Sequence, residues 1–237
     1  MFFTKTFKIN KNMKKGIFLL GLVITLISCQ SNPSVQNAGA GDAQNASIAA
    51  GAEYSLNTAT STLNWKGTKP GGEHTGTASV TEGKLSAENG KLTAGTFTID
   101  LNSIVNTDLT DAEMNGKLVG HLKSADFFDV AQFPTAKFEL VSVSELSATT
   151  PASADAVQAT HQVTGNLIMK GVTKSISFPA QVVISENSIN ALTAPFAIDR
   201  TQWGVNYGSK SLFAELKDNF IHDEMIISLN LSFNKVQ

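Results

Sequence analysis

The chain has 237 residues, 42% of them hydrophobic and 16% charged, enough for one domain with a real core. Its net charge of -2 hides an asymmetry: Lys5, Lys8, Lys11, Lys14 and Lys15 precede Cys29, every acidic residue follows it, and 13 basic side chains then face 20 acidic ones, a balance of about -7. That acidity excludes phosphate-driven nucleic-acid binding, and the single cysteine excludes an intrachain disulfide, a CxxC redox pair and a cysteine-rich zinc site.

Residues 1–28 read as a lipoprotein signal peptide. Lysines around Met13, itself a second candidate start, precede the apolar run Gly16 to Ile27, which is too short for a permanent membrane span. Leu26-Ile27-Ser28-Cys29 resembles a lipobox, so Cys29 is the expected site of acylation with palmitate-type chains. This places the protein in the cell envelope. Gln30, where an Asp would signal inner-membrane retention, favours the outer membrane with the domain facing the periplasm. Residues 29–51 are mostly Ser, Asn, Ala, Gly and Gln, a composition expected to form a flexible tether.

From residue 52 to 237 the dominant period is two. Phe97, Ile99 and Leu101 alternate with polar residues, as do Val163, Gly165, Leu167 and Met169. The same holds for Ile176, Phe178, Ala180, Val182 and Ile184, and for Met225, Ile227, Leu229, Leu231 and Phe233. Strands with one apolar and one polar face are antiparallel strands over a core. Pro70-Gly71-Gly72, Glu82-Gly83, Asn89-Gly90, Lys170-Gly171 and Asn187 punctuate them as turns, and residues 148 to 159 read as an exposed loop. The spacing predicts an all-β sandwich or up-and-down barrel. Asp108 to Leu122 breaks the pattern: Met114, Leu118 and Leu122 recur at helical spacing, with acids early and bases late, which predicts a short amphipathic helix across an opening of the sheet.

Four segments in order carry a family resemblance. They are Gly95 to Ile104 (GTFTIDLNSI), His121 to Pro134 (HLKSADFFDVAQFP), Val163 to Lys174 (VTGNLIMKGVTK) and Ile198 to Val205 (IDRTQWGV). Together they resemble the YceI-like family of exported bacterial proteins over roughly residues 53 to 234. Leu63-Asn64-Trp65-Lys66-Gly67, leading into Gly71-Gly72-Glu73-His74, departs from the family's early motif. The resemblance implies an eight-stranded antiparallel lipocalin-like barrel that holds a long amphiphile, polyisoprenoid-like, in an apolar cavity, without enzymatic activity or a cofactor.

Phe97, Phe127, Phe128, Phe138 and Phe178 are the candidate lining. For Phe127, Phe128 and nearby Phe133, packing beneath the helix explains the residues equally well. Arg200 and Trp203 are candidates for a polar head group, against a purely structural pairing of Asp199 with Arg200 at a strand end. His121, Ser124 and Asp126 could suggest a hydrolytic triad, but six crowded residues without a nucleophile elbow suit helix capping better. His74, His121, His161 and His222 lack metal-ligand spacing, and His222-Asp223-Glu224 reads as an exposed turn. The competing reading is a structural module with a filled barrel. Monomer and homo-oligomer both suit either reading.

Overall fold

The computed structural model describes residues 35–147 and 156–237; Cys29, the leader and residues 148–155 of the expected loop lie outside them. The described strands are β1 (Gln36–Asn37), β2 (Ala52–Leu56), β3 (Thr62–Lys69), β4 (Gly72–Glu88), β5 (Lys91–Asn106), β6 (Thr135–Glu145), β7 (His161–Met169), β8 (Val172–Ile184), β9 (Ser188–Leu192), β10 (Phe196–Asp199) and β11 (Glu224–Lys235). Among the described residues a single α-helix, α1 (Ala112–Lys123), joins β5 to β6.

Antiparallel pairing runs from β3 through β4, β5, β6, β7, β8, β9 and β11 back to β3, a closed ring of eight strands. Closure leaves a barrel interior for the apolar face of every strand. β2 extends the position of β3, because both lie between β4 and β11. β10 extends the position of β9 along β11. The alternation in the sequence sets the faces: Ile227, Leu229, Leu231 and Phe233 are buried, while Asn230 and Asn234 are exposed. Asn89-Gly90 and Lys170-Gly171 are tight hairpin turns with two consecutive positive φ values, as type I′ geometry requires. Glu82-Gly83 is not a turn. It lies inside β4, just after a register shift between Val80 and Glu82, and a side chain at Gly83 would crowd Phe233, Leu56 and Phe97.

The segment expected to be a flexible tether is ordered from Val35 onward. Between β8 and β10 the ring has a seam, and residues 36–41 fill it. β1 pairs in parallel with β10, with Gln36 opposite Phe196. On the other side the Ser177 N–H donates to the Ala38 carbonyl, and Gly41 and Ser175 exchange two backbone bonds of 2.8 and 3.0 Å. The chain then crosses the outer wall. Asn166 clasps the main chain of Gln44, Ser47 binds the Leu140 carbonyl at a bulge in β6, and Thr93 binds the main chain of Ala50. Small polar residues give this strap little apolar surface, but two open sheet edges supply backbone partners that composition does not reveal.

Candidate functional site

The upper half of the barrel encloses a cavity of about 360 Å³. Its floor is a row of four aromatic rings contributed by different strands. Phe97 (β5) stacks on Phe138 (β6) at 5.0 Å, Phe138 tilts against Phe178 (β8) at 5.7 Å, and Phe178 stacks on Phe196 (β10) at 4.5 Å. Gly165 on β7 makes room for the row: a Cβ there would fall 2.1 Å from the Phe138 ring. Below, around Leu140, Val163, Leu231 and Phe233, only about 50 Å³ remains free. The barrel is thus filled at one end and hollow at the other. Above the rings the wall is aliphatic, including Leu63, Ile99, Ile104, Met169, Ile176, Ile198 and Ile227.

The helix covers the hollow end. Asp111 caps its N-terminus by accepting from the Met114 N–H, three residues later than the sequence pattern suggested. Leu118, His121 and Leu122 face the cavity, whereas Met114 is exposed. Lys123 Nζ donates to the Asn102 carbonyl, and Asn115 Nδ2 donates to the Asn106 and Leu109 carbonyls, tying the helix to the end of β5. Phe127 and Phe128, just past the helix, are 7% and 6% exposed and line the cavity, so packing and lining are one role. Phe133 is not in the wall; it lies near Gly171.

Polar side chains gather at the rim: Lys69, His74, His121, Arg200, His222 and Glu224. Arg200 is 3% exposed and spends its guanidinium on the carbonyls of Val205, Ile221 and His222, with the Phe127 ring 5.6 Å from its centre. Burial pulls its pKa below the ordinary arginine value, while Asp223 and Asp199 push back. Asp199 does not bond Arg200, as a strand-end pair would; it accepts from Thr201 and Gln202 at the following turn of 3₁₀ helix. Arg200 therefore organises the loop after β10 and reaches the cavity wall at the same time. Trp203 is a correction. It is fully buried, its indole N–H donates to the Leu167 carbonyl at 2.9 Å, and it is not part of the cavity wall. His222 and Glu224 belong to the rim rather than to an exposed turn, with His222 half-buried.

One rim pair escaped the sequence reading. His74 Nδ1 lies 2.9 Å from Asp108 Oδ2, and Asp108 also accepts from the Thr75 N–H and from Asn106. Burial pushes this carboxyl up, but the bonds from Thr75, His74 and Asn106 outweigh it and hold the pKa at about 2. No local motif marks this pair, because its members are 34 positions apart. Phe196, Trp65 and Tyr207 are further wall residues that alternation alone did not single out.

The crowded trio at the helix end is a cap. Ser124 Oγ donates to the His121 carbonyl at 2.8 Å and accepts from the Asp126 N–H, so its hydroxyl is not aimed at an imidazole. His121 Nε2 lies 3.4 Å from Asp126. Among the described residues, no group of three or more His, Cys, Asp and Glu side chains is placed to hold a metal ion.

Three comparisons bear on this architecture. The profile of a family described as YceI-like domain matches residues 54–233. Proteins named YceI from Salmonella arizonae and Salmonella newport are 33% identical over 97 residues, which is 38% of this chain and 44% of theirs; the match spans less than half of those relatives. Among solved structures, a polyisoprenoid-binding domain from Saccharophagus degradans, implicated in plant cell wall breakdown, superposes with a TM-score of 0.55 at 21% identity, covering 77% of this chain and 98% of that one. BcnA from Burkholderia cenocepacia gives 0.52 at 22%, covering 75% and 98%. At such identities these two likenesses establish the shared fold.

Proposed function

This chain belongs to the YceI-like domain family, and from that premise we propose that it binds a long-chain amphiphile, polyisoprenoid-like, in the upper barrel and sequesters or carries it within the cell envelope. One observation carries the reading: an apolar cavity of about 360 Å³ stands above a row of four aromatic rings, with charged and imidazole groups at its rim. The volume falls within the range of small-molecule sites. Each methylene buried there contributes about 0.8 kcal/mol, with no polar group left stranded. A polar head belongs at the rim, beside His74, His121, His222 and Arg200. The binding activity of the Saccharophagus degradans domain supports the same ligand class. Acylation at Cys29 would hold the protein on the outer membrane, facing the periplasm; the lipobox-like sequence supports this.

The alternative of a filled barrel suits only the lower half, where packing around Phe233 is nearly complete. Native mass spectrometry of the leader-free protein tests the proposal. We expect a discrete added mass of hundreds of daltons that organic solvent extracts. Protein of bare polypeptide mass, with no uptake of added polyprenol, would refute it.

A further inference from the structure

We propose that the loop over the cavity rim, through Tyr207, Leu212 and Phe213, docks on a lipid bilayer, so that an amphiphile passes between membrane and cavity without crossing water. The proposal rests on the cavity being an amphiphile site. Among the described residues ten large hydrophobic side chains are exposed, and three of them fall within residues 207–213, including both aromatic ones. Scattered exposed apolar side chains are ordinary, but such clustering is not.

The loop does not present these side chains through looseness. Ser209 is fully buried beneath it and receives the Phe213 and Leu212 N–H groups on its carbonyl and hydroxyl. The Ile221 N–H donates to the Gly208 carbonyl at 2.7 Å, and the Ser211 N–H donates to Asp223. A fixed base thus holds Leu212 and Phe213 outward, 52% and 40% exposed. Tyr207, five residues before Leu212, is 46% exposed and also lines the cavity, its ring 4.5 Å from His121 and 5.5 Å from Phe127.

Chain length and charge identify the partner. Only six peptide links join Cys29 to Val35, where the strap begins, a reach of about 20 Å at full extension. Gln36 pairs opposite Phe196, four residues from Arg200 at the rim, a rise of about 13 Å. The chain between an acyl anchor on Cys29 and the strap is thus long enough to span that rise. Across residues 205–221 Lys210 and Lys217 are balanced by Glu215 and Asp218, so attraction comes from apolar insertion rather than from charge. Exposed aromatic and aliphatic tips of this kind suit the boundary between head groups and acyl chains.

The test uses leader-free protein from Gln30 onward, which carries neither the apolar leader nor an acyl anchor, and phosphatidylcholine vesicles, scored by flotation. The protein should partition to the vesicles, and raising the salt severalfold should leave this unchanged. Leu212→Ser with Phe213→Ser should weaken partition by about tenfold or more. Val183→Ser, on an equally exposed side chain of the β8 wall, should not. Absence of partition, loss by salt, or equal loss from Val183→Ser would overturn the proposal. So would a concentration-dependent dimer dissolved by the same double substitution, which would assign the loop to a second copy of the chain. Bound amphiphile, measured in parallel by native mass spectrometry, should persist in the double variant. Its absence from every variant and from the parent counts against the cavity reading, whereas the vesicle result alone decides docking.

Discussion

Gly165 shows how one missing side chain shapes the cavity. The Phe138 ring occupies the space where its Cβ would project, which lets Phe138 reach both Phe97 and Phe178. Gly165→Ala should cost about 1–3 kcal/mol, as overpacking does, and should also lower amphiphile uptake by tilting the floor; urea denaturation and uptake of a fluorescent fatty acid measure the two effects. At the rim, the Asp108 pKa of about 2 lies below its ordinary 3.8. The unfolded chain therefore binds more protons between those values, so this contribution to stability is full above about pH 4 and is lost as pH falls through 2. Asp108→Asn should lower the urea midpoint at pH 6, and its deficit relative to the parent should shrink toward pH 2; a constant deficit would mean the carboxylate charge plays no part. Alternation sufficed to find Phe97, Phe138 and Phe178. It could not separate Trp203 from the lining, because the chain leaves the strand at Asp199 and enters 3₁₀ geometry, where period two no longer assigns a face.

The strap is the element that composition describes worst. Residues 35–51 hold almost no large apolar side chain, yet Ala38 is 6% exposed and Asn166 and Ser175, on the outward face of their strands, are buried beneath the segment. Hydropathy reports whether a segment can bury apolar surface by itself. It does not report whether two sheet edges elsewhere need a partner. Ala38→Asp sets a charge in the seam and should release the strap locally, because its contacts are few beside those within the ring. Hydrogen exchange should rise severalfold or more over residues 36–44 while β4–β5 amides keep their protection. Equal acceleration in β4 and β5 would mean that the barrel does not hold without the strap. The helix was easier to anticipate, since Leu118 and Leu122 mark its inner face. Its start was not, because Asp108 and Asp111 both resemble caps and only the Thr75 N–H and His74 claim the former.

At the scale of the molecule, period two distinguishes strands from helices but not an open sandwich from a closed ring. Closure depends on β11 meeting both β3 and β9, a pairing between distant segments that no local pattern encodes. The four ordered motifs supplied that information, and the family profile covers the same span. Nor does alternation tell a hollow half from a filled one, since inward residues are apolar in both; the division depends on where ring size and glycine coincide. Cys29 precedes both the described residues and the span of the family profile. Cys29→Ser should remove fatty-acid labelling and lower the share of cell-fractionated protein held at the membrane, and should leave the melting temperature within about a degree of the parent's. Fatty-acid labelling that persists in Cys29→Ser would overturn the anchor assignment.

The seam has a consequence for the order in which the barrel is made. The strap is synthesised first among the described segments, yet Phe196, opposite Gln36, lies about 160 positions later. Until β8 and β10 have both been synthesised, residues 36–41 lack one or both of their partners, and the nascent chain must hold them in reserve. Contacts across such separations form slowly, because loop closure precedes any gain from them. During that interval β8 and β10 expose unpaired edges of the kind that recruit other chains. The last step of assembly is then the return of the strap, and a chain stalled before it is the species most exposed to aggregation and to proteolysis.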